Sequence, residues 1–129
     1  MPAPKGRILC TEDHTDTREL LIVLLRSAGY EVICTDNAFQ ALKLAKSERF
    51  HLYLVDYWLP DASGITLTEW IREFDEITPI LFYSGAGYDS DLKSALKAGA
   101  NAYLVKPADA DAILHEIDRL IERSKLVRV

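Results

Sequence analysis

Apolar residues follow two alternating patterns along the chain, short continuous runs and helical repeats. Five short runs rich in branched and aromatic residues predict β-strands at residues 7–11, 31–35, 51–55, 79–83 and 101–105. After each run, apolar residues recur every three or four positions and predict helices at residues 15–28, 37–48, 65–74, 89–98 and 108–123. This strict alternation is typical of a parallel sheet covered by helices on both faces, so the sequence predicts a three-layer α/β fold.

The first predicted helix has two candidate N-terminal caps. Asp16 followed by Glu19 resembles a capping pair, and Thr15 is the alternative cap. At the other end of this helix, Gly29 is a suitable stop.

Length and charge narrow the class of protein. The 129 residues match one domain of ordinary size, with a predicted core at about residues 6–123 and a tail or the start of a linker at residues 124–129. The 20 acidic residues outnumber the 15 basic ones, for a net charge of −5. Because phosphate contacts need clustered Lys and Arg, this balance argues against direct nucleic-acid binding. Any output activity is therefore expected from a partner protein or from a domain outside this sequence.

Targeting signals and cysteines predict a cytoplasmic protein. The longest apolar run, residues 20–25, is too short for a membrane span, which needs about 20 residues. The first seven residues contain no apolar stretch of the kind found in signal peptides. Cys10 and Cys34 lie in apolar segments outside any C-x-x-C pair, so we expect plain buried thiols. A bridge between the two cysteines is the alternative.

Polar residues come directly after the predicted strands. In a parallel sheet, functional groups collect at the carboxyl ends of the strands, which is where these residues lie. Glu12 and Asp13 follow the first strand, Asp56 the third, Ser84 the fourth and Lys106 the fifth. Three carboxylates repel one another, and one lysine compensates only part of their charge. An all-oxygen site of this kind suits Mg²⁺, with Mn²⁺ or Ca²⁺ as substitutes. Such a site favours phosphoryl chemistry with a carboxylate as the nucleophile.

Five segments, in this order, carry a family resemblance. They are ILCTEDHTDTREL, LYLVDYWLPDASG, PILFYSGAG, KAGANAYLVKP and the amphipathic last helix. Together they resemble the receiver domain of two-component response regulators, close to the chemotaxis regulator. The resemblance implies a doubly wound, flavodoxin-like sheet of strand order 2-1-3-4-5 flanked by five helices. It also implies a phosphorelay switch that takes a phosphoryl group from a sensor histidine kinase or a histidine phosphotransfer protein.

The resemblance also implies a role for individual residues. Asp56 is the implied phosphoacceptor, and Lys106 and Ser84 are expected to hold phosphoryl oxygens. The implied Mg²⁺ ligands are Glu12, Asp13 and Asp56, with the backbone carbonyl of Trp58.

The implied switch pair is Ser84 and Tyr103, and the Lys106–Pro107 peptide is expected to be cis. The signal is expected on the face made by the fourth helix, fifth strand and fifth helix, where it acts on a downstream protein as a monomer or as a phosphorylation-dependent dimer.

Three positions depart from the common family pattern. Glu12 stands where many relatives have Asp, and Ser84 replaces the commoner Thr. Trp58 is unusually bulky for a position beside the phosphoacceptor. An indole there is expected to shield an acyl phosphate from water and to slow its hydrolysis.

Two other functions compete with a signalling switch. An aspartyl-nucleophile phosphatase or phosphotransferase of the haloacid-dehalogenase type normally has a second Asp two residues after the nucleophile, where this chain has Trp58. An unphosphorylated pseudo-receiver that only binds proteins usually lacks part of the acid set or the lysine, and this chain has them all. We therefore expect a switch that is not an enzyme acting on an external substrate.

Overall fold

A computed structural model describes residues 3–127, which form a five-stranded parallel sheet with helices on both faces. The strands are β1 (Arg7–Thr11), β2 (Glu31–Thr35), β3 (Leu52–Val55), β4 (Ile80–Ser84) and β5 (Ala102–Val105). Their order, β2-β1-β3-β4-β5, confirms the predicted doubly wound topology. Every pair of neighbouring strands is parallel.

Two apolar clusters hold the helices against the sheet. The helices are α1 (Thr15–Ser27), α2 (Ala38–Ser47), α3 (Gly64–Arg72), α4 (Asp89–Ala98) and α5 (Ala110–Val127). One cluster, built around Ile8 and Ile117, packs α1 and α5 on one face of the sheet. The other, built around Leu9 and Phe82, packs α2, α3 and α4 on the opposite face. Ile8 and Leu9 belong to different clusters because successive strand residues point to opposite faces.

Several element ends differ from the sequence prediction. Ser84 is the last residue of β4, not the first residue of a loop. The last helix begins at Ala110 and continues to Val127, so residues 124–127 of the predicted tail are helical. The predicted single domain, residues 1–129, also includes residues 1, 2, 128 and 129, which lie outside the described residues.

The cap of α1 was predicted wrongly. His14 is the N-cap, and its ring nitrogen Nδ1 accepts a hydrogen bond from the backbone N–H of Thr17 at 3.4 Å. Histidine is not among the preferred capping residues, so the sequence favoured the Asp16–Glu19 pair or Thr15 over His14. Gly29 does follow the helix, and its φ of +96° is a conformation that side chains other than glycine rarely adopt.

Within residues 3–127, none of the helices is both long and apolar enough to cross a lipid bilayer.

Candidate functional site

The sheet positions the predicted site residues through its backbone hydrogen bonds. The N–H of Glu12 donates to the carbonyl of Thr35, at the end of β2. The N–H of Asp56 donates to the carbonyl of Thr11, at the end of β1, and that of Lys106 donates to the carbonyl of Ser84. Each of these residues therefore continues the hydrogen-bonding pattern one position beyond its own strand. The ladder brings their side chains to the same edge of the sheet.

Three carboxylates meet at this edge. Glu12, Asp13 and Asp56 each offer an oxygen, and these oxygens lie within 4.8 Å of one another. The Glu12 side chain is 2% exposed and Asp56 is also buried, whereas Asp13 is exposed to solvent. We call these three residues the acidic cluster.

Lys106 is the cation that contacts the acidic cluster. Its Nζ lies 2.6 Å from Oε1 of Glu12 and 3.3 Å from Oδ2 of Asp56. None of the ion pairs found among residues 3–127 involves Asp13. The Lys106–Pro107 peptide is cis, as the family resemblance implied.

Burial and charge shift the protonation of this pair. Burial raises the pKa of the Glu12 carboxyl, and hydrogen bonds from Lys106 and from the backbone N–H of His14 offset the rise only in part. Burial would lower the pKa of Lys106, but the hydrogen bond to Glu12 and the charge of Asp56 outweigh it and raise the pKa. The amine therefore carries a full positive charge at neutral pH.

Ser84 and Tyr103, the predicted switch pair, lie together on neighbouring strands. Ser84 is fully buried, and its Oγ accepts a hydrogen bond from the N–H of Ala86 at 3.3 Å. The ring of Tyr103 stacks on Phe82 with centroids 5.4 Å apart, and its hydroxyl donates to the carbonyl of Ala86. Burial raises the pKa of Tyr103 to about 12, although a hydrogen bond with Ser84 lowers it in part. Both side chains thus contact the backbone of the loop after β4.

Trp58 lies on the loop between β3 and α3, near the phosphoacceptor candidate Asp56. Its side chain is 64% exposed and packs on Tyr57, with ring centroids 4.8 Å apart. A β-bridge to Ser63 and a hydrogen bond from the N–H of Gly64 to the carbonyl of Tyr57 close this loop. The role of the Trp58 carbonyl as a metal ligand stays a prediction.

Three further residues support the site and were missed in the sequence. Arg18 on α1 donates from Nη1 to the carbonyls of Glu12 at 2.9 Å and Asp13 at 3.3 Å. The Tyr83 ring centroid lies 5.6 Å from Nζ of Lys106. A side chain at Gly64 would place its Cβ 2.3 Å from the carbonyl oxygen of Asp56, so the backbone approach there needs glycine. Only Gly64 could have been noticed in the sequence, as a glycine in a predicted loop. The roles of Arg18 and Tyr83 depend on how their side chains are oriented relative to the sheet edge.

The donor set of this edge fits a hard divalent cation. All the candidate side-chain ligands are carboxylate oxygens, and Lys106 compensates only part of their combined charge. Mg²⁺ binds such sites through one or more carboxylates and retains several waters. The residues present therefore match the predicted ion in charge and in ligand chemistry.

Comparison with known proteins identifies the family. The sequence profile of the response regulator receiver domain matches residues 8–118. The chain belongs to this receiver family. Receivers are phosphoacceptor signalling switches of two-component systems, they generally bind Mg²⁺, and they interact with sensor kinases and output domains.

Individual relatives place this receiver among proteins of different lengths. It is 31% identical to the polar-differentiation response regulator DivK of Brucella anthropi, covering 88% of this chain and 94% of DivK. It is 32% identical to the cell cycle transcriptional regulator CtrA of Caulobacter vibrioides, covering 92% of this chain but 52% of CtrA. Several of the curated relatives that it matches are thus about twice its length.

A solved receiver has the same fold and a bound metal ion. The receiver domain of a sensor histidine kinase from Pseudomonas aeruginosa has a TM-score of 0.85 and is 29% identical, covering 91% of this chain and 98% of that domain. That structure has a magnesium ion coordinated in its active-site cleft.

Proposed function

We propose that this receiver accepts a phosphoryl group on Asp56 from the phosphohistidine of a sensor histidine kinase or a histidine phosphotransfer protein. The observation that carries the proposal is the acidic cluster, whose three carboxylates lie within 4.8 Å of one another and whose Asp56 lies 3.3 Å from Nζ of Lys106. A lone buried carboxylate would serve as a hydrogen-bond acceptor. Three carboxylates with one lysine suit phosphoryl transfer better.

The phosphoryl transfer needs only groups that this site and its donor supply. A carboxylate oxygen of Asp56 attacks phosphorus, the P–O bond forms, and the P–N bond to the donor imidazole breaks. The second ring nitrogen of the donor imidazole carries a proton, so the imidazole leaves as the neutral base. Lys106 holds a phosphoryl oxygen, and the Ser84 hydroxyl donates its hydrogen to another, since the bond from the N–H of Ala86 occupies only a lone pair of Oγ.

Glu12, Asp13 and Asp56, with the Trp58 carbonyl, would hold the Mg²⁺ ion. When bound, the ion offsets the negative charge of the phosphoryl group in the transition state. Arg18 orients the chain segment that carries Glu12 and Asp13, since it binds both of their carbonyls.

Phosphorylation would be read out on the surface of α4, β5 and α5. Tyr103 connects the site to this surface, because its hydroxyl contacts Ala86 in the loop that leads from Ser84 to α4. Movement of Ser84 towards the phosphoryl group would release that loop and let the ring of Tyr103 follow. The receiver would then act on a partner or output domain, and would not turn over an external substrate.

The test uses intact mass spectrometry after incubation with Mg²⁺ and acetyl phosphate. We expect one phosphoryl adduct in the wild type and none in Asp56→Asn. Asp36→Asn is the matched control, because Asp36 follows β2 at the same sheet edge but lies outside the acidic cluster. Absence of an adduct in the wild type, together with undetectable Mg²⁺ binding, would contradict the proposal and favour a pseudo-receiver.

A further inference from the structure

The two cysteines face each other across neighbouring strands. Cys10 of β1 and Cys34 of β2 are direct register partners, and both pack on the side of the sheet covered by α1 and α5. Neighbouring strands lie about 4.8 Å apart, which falls within the Cα separations of about 4.4–6.8 Å that disulfides span. Both residues are free thiols. Register partners on neighbouring strands therefore lie in the range of Cα separations that a disulfide can span.

The two thiols differ in accessibility. Cys10 is fully buried in the core. Cys34 is half-buried, contrary to the expectation of a plain buried thiol, because β2 is an edge strand. Cys34 also lines a surface cleft of about 330 Å³ between α1 and α2, together with Arg18, Thr35, Asp36, Gln40 and Leu44. A small solute can thus reach Cys34, whereas Cys10 is shielded from solvent.

The surroundings of Cys34 lower the pKa of its thiol. The pKa of Cys34 is lowered, chiefly because it accepts a hydrogen bond from the Cys10 thiol, and the positive charges of Arg18 and Arg26 add to this against the effect of burial. Because the thiolate is the nucleophilic form, a thiol of this kind reacts faster than a core cysteine. Accessibility and charge thus single out the same residue.

We propose that Cys34 and Cys10 form a peroxide-sensitive redox site, in which Cys34 is oxidised first and Cys10 then closes a disulfide. The Cys34 sulfur attacks one oxygen of hydrogen peroxide, the S–O bond forms, the O–O bond breaks, and hydroxide leaves and becomes water on protonation. The Cys10 sulfur then attacks the resulting sulfenic acid, the S–S bond forms, and the hydroxyl leaves with the Cys10 proton as a second water. Two thiols are oxidised by two electrons, and peroxide is reduced to two waters.

This redox site is separate from the acidic cluster but connected to it. Arg18, which faces Cys34 in the cleft, also binds the carbonyls of Glu12 and Asp13. A bridge would join β1 to β2 just before those two residues. The test therefore measures the thiols directly and does not depend on phosphorylation.

The first experiment needs no variant. The folded, reduced protein is treated with N-ethylmaleimide and mapped by peptide mass spectrometry, and we expect labelling of Cys34 but not of Cys10. A second sample receives hydrogen peroxide and is then denatured before labelling. We expect its mass to fall by two hydrogen atoms, neither cysteine to be labelled, and dithiothreitol to restore both thiols. Unchanged mass with two labelled thiols, or a gain of oxygen without a bridge, would overturn the proposal.

Two variants separate the roles of the cysteines. Cys34→Ser should lose all reaction with peroxide at low excess. Cys10→Ser should gain one oxygen at Cys34 that dimedone traps, without forming a bridge. Circular dichroism establishes that each variant is folded before it is compared. Rapid oxidation of Cys10 in folded Cys34→Ser would contradict the assigned order, and a disulfide-linked dimer of the wild type would contradict the intramolecular bridge.

Discussion

At the scale of residues, the acidic cluster and Lys106 meet because the strands that carry them end at the same edge of the sheet. Parallel strands deliver the residues after them to one edge, so the sequence positions of Glu12, Asp56 and Lys106 were enough to predict that they meet. The Lys106 contacts at 2.6 and 3.3 Å agree with that prediction. Arg18 could not be predicted in the same way, because a helix residue reaches the edge only if its helix has the right rotation and tilt.

Asp13 is expected to matter for metal binding more than for folding. It is exposed and, among the ion pairs described, has no cation, so Asp13→Asn should change the free energy of unfolding without metal by less than about 1 kcal/mol. At a Mg²⁺ concentration ten times the dissociation constant, the wild type should gain about 1.4 kcal/mol, and the variant should lose most of this gain. Thermal melts with and without Mg²⁺ measure both effects.

The control for this comparison is Asp16→Asn, an exposed acid in the first turn of α1 that lies outside the acidic cluster. It should keep the full stabilisation by Mg²⁺. Equal stabilisation of Asp13→Asn and the wild type would exclude Asp13 as a ligand.

Trp58 is expected to slow the loss of the phosphoryl group. Its indole is mostly exposed and packs on Tyr57 next to Asp56, so it can restrict the approach of water without contributing to the core. Trp58→Asn should therefore speed the decay of phospho-Asp56 by about 3- to 10-fold, equivalent to roughly 0.7–1.4 kcal/mol in the barrier. The decay is followed by intact mass after removal of the phosphodonor.

Phe39→Asn is the matched control for Trp58→Asn, because Phe39 is similarly exposed but pairs with Trp70 on the surface of α2 and α3. Its decay rate should equal that of the wild type. A Trp58→Asn variant that decays no faster would rule out shielding.

At the scale of elements, short apolar runs predicted the strands and helical repeats predicted the helices that the structure describes within residues 3–127, and the errors lie at their ends. β1 and β2 have the predicted bounds, because apolar runs flanked by polar residues mark both of their ends. The last helix was predicted to stop at residue 123, whereas it continues to Val127, since nothing in SKLV breaks a helix. Side chains from elsewhere in the chain also define helix ends, and local sequence does not contain that information.

Asp61 is such a side chain, and it joins two elements. From the loop after β3, its carboxylate accepts hydrogen bonds from the N–H groups of Ala38 at 2.8 Å and Phe39 at 2.9 Å. The side-chain oxygen of Asn37 accepts a third, from the N–H of Gln40 at 2.8 Å. Together these contacts satisfy the first three amides of α2. Asp61→Asn should therefore cost about 1 kcal/mol in the free energy of unfolding at pH 7, measured with urea.

The pH dependence of this cost has a defined sign. Burial raises the pKa of Asp61, but the N–H groups of Phe39 and Ala38 outweigh burial and lower it. A lowered pKa gives stability that is present above the ordinary value of about 3.9 and is lost as the pH falls through the folded-state value. The difference between the wild type and Asp61→Asn should thus be constant from pH 7 to 5 and shrink below about pH 4. Glu69→Gln, on the exposed face of α3, should show no such difference.

At the scale of the whole molecule, the residues of the candidate site and the residues of the apolar core occupy different parts of the sheet. The acidic cluster and Lys106 lie where the strands end, and the apolar clusters on the two faces hold those ends in register. The family resemblance predicted this arrangement because it depends on strand order, which short-range patterns do not define. The pairing of Cys10 with Cys34 was left open for the same reason, since only the adjacency of β1 and β2 brings the two residues together.

The end of α5 is expected to be dispensable for phosphorylation. The helix begins at Ala110, close after Lys106, and its 18 residues extend roughly 27 Å, so its last turn lies far from the acidic cluster. Leu126 is 79% exposed, and its loss leaves no cavity. A chain ending at Arg123 should therefore form the acetyl phosphate adduct at a rate within about twofold of the full chain, since the transition state loses no contact.

A deeper truncation provides the contrast for this prediction. Ending the chain before Leu120 also removes Ile121, and both side chains are buried against the α1 side of the sheet. Loss of two buried apolar side chains should cost about 4 kcal/mol or more, so this shorter chain should unfold at much lower urea concentration. If the chain ending at Arg123 stayed equally stable but lost its adduct, the last turn would have to act on the site through α5. The idea that the site at the sheet edge is independent of the end of α5 would then be wrong.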